Sequence, residues 1–140
     1  MLFVRSLTIA ATLVAALPAA AQDLDSSSAW KASSAGEAVL IDIRTAEEWR
    51  QSGTPPAALR IDFQGPDFAI QAAAVARAHP GKEVHLICRS GRRSAAAIEM
   101  LGRMGITNAR SVAGGVQGQD GWVAQGLPLQ LCGDCAPDRP

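Results

Sequence analysis

The chain has 140 residues, 48% hydrophobic and 19% charged, which excludes a disordered or collagen-like protein and fits one globular domain. Basic and acidic side chains number 13 each, so the formal charge is zero and nothing supports general binding to nucleic acid or to an anionic membrane. Any cationic character is local.

Residues 1–21, MLFVRSLTIAATLVAALPAAA, join Arg5 to an apolar run from Leu7 to Leu17, then Pro18 and small residues. This reads as a secretory signal peptide with an A-x-A cleavage site at Ala19–Ala21. The run is shorter than the roughly 20 apolar residues of a membrane span, so no stable membrane anchor is expected. The expected location is therefore periplasmic or secreted, where disulfides persist. Residues 22–36 are polar and small and are expected to form a linker or one helical turn carrying Trp30.

Val39–Ile43, a short β-branched and aliphatic run, predicts a buried strand. Thr45, followed three residues later by Glu48, is a capping box, so a helix should start there and end near Gly53. The segment TPPAA breaks that helix, and Leu59–Phe63 is a short strand candidate. Asp67–Ala78 predicts a helix ended by Pro80 and Gly81, and Glu83–Cys88 a second buried strand. Ser94–Met104, with Ile98, Leu101 and Met104 at helical spacing, predicts a helix stopped by Gly105, and Arg110–Ala113 a third strand. Alternating strands and helices give an α/β fold class, a central mostly parallel sheet with helices on both faces.

Cys88 then lies at the carboxyl end of a central strand, in a tight loop before a helix amino terminus, the edge where open α/β sheets bind ligands. Amides of residues 89–93 and the helix dipole would favour a thiolate, whose pKa at such sites falls to roughly 3.5–7.5. Cys88 is the candidate nucleophile. Arg89, Ser90, Gly91, Arg92 and Arg93 are the candidate substrate-binding residues, with Gly91 supplying a positive backbone angle. Asp42 and Arg44, at a strand end, read as a structural ion pair or cap, and Trp49 and Trp122 as core aromatics. His79 and His85 lack ligand spacing, so no metal and no cofactor is expected.

These motifs, VLIDIRTAEEW, LICRSGRRS, VAGG and WVAQGLPL in that order, resemble a single-domain exported rhodanese, a thiosulfate sulfurtransferase. The resemblance implies a rhodanese-like domain over residues 37–131 in which Cys88 attacks the outer sulfur of thiosulfate. Sulfite leaves, and the resulting persulfide passes its sulfur to cyanide or a thiol acceptor, a thiol-containing protein among the candidates. Arg89 and Arg93 match loop positions of the family, and Ser94 matches its small hydroxyl residue as structural support. Four residues separate Cys88 from Arg93, the short loop of sulfurtransferases; related phosphatases and arsenate reductases have five, and such an enzyme is the lesser alternative. A sulfur-carrier or binding module delivering sulfur to a partner protein is the other.

Two departures stand out. Where the family has Gly-His-Ile-Pro-Gly-Ala, this chain has Gly53-Thr54-Pro55-Pro56-Ala57-Ala58, which leaves the turn shape open. The Gly115–Trp122 segment is also longer than the family's, and Gln117, Gln119 and Asp120 are read as a surface loop, the alternative being an added lip at the active-site edge. In the tail, residues 132–140, Cys132 and Cys135 form C-x-x-C, expected to be a local disulfide; the other reading lets a tail thiol resolve or accept the Cys88 persulfide.

Overall fold

The apolar run Ala-Val-Leu-Ile-Asp forms the first strand, β1 (Ala38–Asp42), because short runs buried on both faces belong in the middle of a parallel sheet. The computed structural model describes residues 23–138, so the signal-peptide reading of residues 1–21 lies outside the described residues. A helix, α1 (Ser26–Ser34), precedes β1, and α2 (Ala46–Ser52), β2 (Leu59–Arg60), α3 (Phe68–Ala78), β3 (Glu83–Ile87), α4 (Arg92–Arg103) and β4 (Ala109–Ser111) follow. The four strands are all parallel in the order β2-β1-β3-β4. β1 and β3 are the inner pair, with Leu40 opposite His85 and Asp42 opposite Ile87. Among the described residues no helix is long and apolar enough to cross a membrane.

Alternation along β1 and β3 divides the core in two. Ile41, Val84, Leu86 and Cys88 face α3 and α4, packing on Phe68, Ala72, Ala97 and Leu101. Leu40 and Ile87 face the other way, onto Ala29 of α1 and onto Val112, Val116 and Trp122. Helices therefore cover both faces.

The segment read as a linker or one helical turn is a nine-residue helix. Asp25 caps it, its carboxylate accepting from Ser28 N–H at 3.0 Å. Its serine-rich composition has weak intrinsic helix preference, so the cap and the burial it gains by docking stabilise it. Ala29 is fully buried, and Trp30 meets Trp122 edge to face at 5.8 Å. Elsewhere the observed elements start and stop within a few residues of the predicted bounds. The Leu59–Phe63 candidate is the exception, shortened to two paired residues.

Thr45 and Glu48 form the expected capping box, and α2 ends at Gly53. The ends of β1 and α2 are tied by a fully buried ion pair. Arg44 donates from Nε to Asp42 Oδ1 at 2.9 Å and from NH2 to Asp42 Oδ2 at 2.7 Å. Its remaining donors reach Ser52 Oγ and the Gly53 carbonyl, both at 2.7 Å. The turn after α2 places Ala57 at φ 61°.

Removing one partner of a buried pair strands the other charge, so Arg44→Ala is expected to lower unfolding free energy by about 3–5 kcal/mol in denaturant titration. Ala57→Gly relieves a left-handed alanine but loosens the unfolded chain, and the same measurement should show a gain of roughly 0.5 kcal/mol.

Candidate active site

Cys88 follows the last residue of β3, where the chain leaves the sheet and turns into α4. The turn is possible because Gly91, the amino-terminal cap of α4, takes φ 98°, a conformation that a side chain disfavours. That geometry folds the loop back over the sulfur. Gly91 N–H donates to Cys88 Sγ at 3.1 Å, and Ser94 Oγ lies 3.6 Å from it. The Ser94 hydroxyl also donates to the Gly91 carbonyl at 3.0 Å and shares a 2.8 Å bond with Ser111 Oγ on β4.

Cys88 is only 1% exposed, and burial pushes its thiol up. The Ser94 amide and hydroxyl and the amides of Ser90 and Gly91 oppose this and prevail, holding the thiol below its ordinary 9.0. The loop thus stabilises a charged sulfur out of water.

Beside the loop lies a cleft of about 410 Å³ lined by Phe63, Arg89, Ser90, Arg92, Arg93 and Ala96, with the buried Cys88 itself outside the lining. The three arginines sit in different electrostatic settings. Arg93 is half-buried and held in a bidentate pair by Glu48, NH2 to Oε1 at 2.6 Å and NH1 to Oε2 at 2.8 Å. Arg89 donates from Nε to Gln117 Oε1 at 3.2 Å. Arg92 is exposed on the cleft. Of the arginines read as substrate-binding, Arg93 therefore carries a charge already balanced within the protein.

Glu48 has two tasks. Burial raises its carboxyl, but the Arg93 guanidinium and the Thr45 amide and hydroxyl outweigh this and lower it to about 2. Asp42 and Arg44 stand behind the site as the buried pair already described.

Gln117, Gln119 and Asp120 are exposed, as the surface-loop reading has them, but the backbone of the Gly115–Trp122 segment is pinned to the loop of the nucleophile. Val116 N–H donates to the Cys88 carbonyl and Gln117 N–H to the Arg89 carbonyl, both at 2.8 Å, while Val116 and Trp122 are fully buried. Gly115 permits this approach, since a Cβ there would sit 2.4 Å from the Cys88 oxygen.

Cys132 and Cys135 are bonded in a disulfide, with Cα atoms 5.2 Å apart. The tail runs beside the β2 edge, through a Thr54–Gln130 bridge and an Arg60–Asp138 ion pair at 3.3 Å. Cys132 Sγ lies 3.5 Å from the Trp49 carbonyl on α2. Among the described residues none of the tail lines the cleft beside the Cys88 loop.

Sequence reasoning placed Cys88 at a strand end before the loop and weighed Gln117 as part of a lip at its edge, but did not join Glu48 or Ser111 to them. Glu48 announced itself only as a helix cap, Ser111 as a strand residue, and Gln117 as part of a longer loop. No local pattern marks contacts made across 45, 17 and 28 positions.

The rhodanese-like domain family matches residues 25–121. This chain belongs to it. An uncharacterized protein of Rickettsia rickettsii is 30% identical over 103 residues, 67% of this chain and 84% of the relative. A human single-domain sulfurtransferase is 27% identical with a TM-score of 0.52, over 66% of this chain and 89% of that one. A Rhodopseudomonas palustris protein of unknown function, described as a possible tyrosine phosphatase, has a TM-score of 0.66 at 19% identity. That match covers 88% of this rhodanese-like chain and 100% of the other, and at such identity it shows the shared fold alone.

Because the Glu48 carboxyl is depressed on folding, its charge adds stability in full above about pH 5 and loses that contribution as pH falls from 4.5 to about 2. Glutamine keeps the cap and removes the charge. The stability difference between wild type and Glu48→Gln should therefore be flat above pH 5 and shrink across that window. Ser94→Ala removes a donor to the sulfur, so the pH profile of Cys88 alkylation should move upward toward the ordinary thiol value.

Proposed function

We propose that the protein is a sulfurtransferase that carries sulfane sulfur on Cys88. One observation bears most of the weight: Cys88 Sγ, out of water, receives the Gly91 amide at 3.1 Å and is held below its ordinary thiol value by its loop. The Cys88 thiolate attacks the outer sulfur of thiosulfate or of another persulfide-type donor. A new S–S bond forms on Cys88, the donor S–S bond breaks, and its electron pair leaves with sulfite, or with the donor's thiolate when the donor is a persulfide. The terminal persulfide sulfur, itself anionic, falls among the same amide donors. Cyanide or a thiol acceptor then attacks that sulfur, and the electron pair of the S–S bond returns to Cys88.

Phosphatase chemistry has less support. Protonating an alkoxide requires a carboxylic acid that still holds its proton near neutral pH. The carboxylate joined to this loop, Glu48, is lowered to about 2 and engaged by Arg93. Sulfite needs no such acid to leave. The signal-like residues 1–21 and the tail disulfide support a periplasmic or secreted setting for the reaction.

Intact mass of the reduced protein after thiosulfate should rise by one sulfur atom, and cyanide should remove it as thiocyanate. Cys88→Ser should show neither change. A wild type that folds but gains no sulfur would overturn the reading. Persulfide formation followed by slow transfer to every small acceptor would favour delivery to a partner protein.

A further inference from the structure

Between Gly114 and Trp122 the chain folds into a knuckle braced on the loop of the nucleophile. Two backbone bonds fasten it to Cys88 and Arg89, and buried Val116 and Trp122 anchor it in the core beneath. At its crest the Gln117 carboxamide oxygen accepts from Arg89 Nε. A carboxamide fixes a guanidinium without cancelling its charge, whereas a carboxylate does both. The cradle contains one of each: Glu48 neutralises Arg93, and Gln117 restrains Arg89 with its charge intact. Arg92, also on the cleft, takes part in none of the ion pairs found among the described residues.

We propose that Gln117 is a positioning residue for sulfur transfer, holding a fully charged Arg89 against the cleft to receive the anionic end of the sulfur donor. The inference rests on the sulfur-transfer reading. With Nε occupied by Gln117, the two terminal amino groups of Arg89 remain to meet the oxygens of a sulfonate-like group such as that of thiosulfate. Those oxygens gain charge as the S–S electron pair departs with sulfite, so a cation held in place there favours the step that loads Cys88. Transfer onward to a thiol acceptor, which attacks as its thiolate, brings no sulfonate-like group for those amino groups to meet. Gln117 therefore acts on the donor side of the cycle.

The two half-reactions are measured separately: loading of Cys88 by thiosulfate, followed by mass, and transfer from the persulfide to 2-mercaptoethanol. Gln117→Ala should slow loading about tenfold or somewhat less, with transfer to 2-mercaptoethanol unchanged. Gln117→Glu retains the accepting oxygen and adds a negative charge, so loading should fall further, and raising the salt concentration should narrow the deficit. A Glu variant that loads like wild type would show that Gln117 only braces the loop, and the proposal fails. So would Ala and Glu variants that lose both half-reactions together with melting temperature. If wild type itself gains no sulfur from thiosulfate, the sulfur-transfer reading falls first and takes this proposal with it.

Discussion

Everything around Cys88 depends on a charge pair that never touches it. Asp42 and Arg44 are both buried, at 0% and 1% exposure, and removing two ions from water is tolerated only if every donor and acceptor is satisfied. Arg44 spends its guanidinium on the Asp42 carboxylate, Ser52 and the Gly53 carbonyl, so the end of β1 and the end of α2 cannot shift independently. α2 in turn carries Glu48, and Glu48 holds Arg93 on the first turn of α4. A bond at one end of the inner strand thus fixes the helix whose amino terminus frames the sulfur.

The cradle solves two opposed demands. Burial excludes water from a reactive sulfur but penalises its charge, and the loop answers with short-range donors from Ser90, Gly91 and Ser94. Donors on the backbone are fixed in place before any substrate arrives, so the backbone need not reorganise when the sulfur ionises. Longer-range charge is graded by what each arginine meets: a carboxylate for Arg93 and a carboxamide for Arg89. The family membership accounts for the fold, while the knuckle carrying Gln117 meets the loop across 28 positions of the chain.

The parts of the fold legible in the sequence are those whose cause is local. The run VLIDI, the Thr45–Glu48 capping box and Gly91 each act within a few residues, and each forms as read. The α1 helix was illegible for the opposite reason: its serines carry little preference, and its stability comes from Trp122, some 90 positions away in the chain. The Asp25 cap was the available clue, and three serines after it obscured the helix. The exposure of Gln117, Gln119 and Asp120 was legible, but the bracing beneath them was not, because Gly115 reads as a loop glycine and in fact lets backbone press on backbone. The second role of Glu48 was invisible because a capping pattern already explained the residue.

Ser94 has one proton and three neighbours that compete for it or offer their own: the Cys88 sulfur, the Gly91 carbonyl and the Ser111 hydroxyl. A hydroxyl hydrogen swings about its C–O bond with no movement of heavy atoms. The one hydrogen can serve either the sulfur or the Gly91 carbonyl, and the Ser111 hydroxyl is placed to donate to the oxygen in either case. The two serines form a rotor beneath the nucleophile, and the gain and loss of charge over a reaction cycle can be followed by a hydrogen while the backbone stays still.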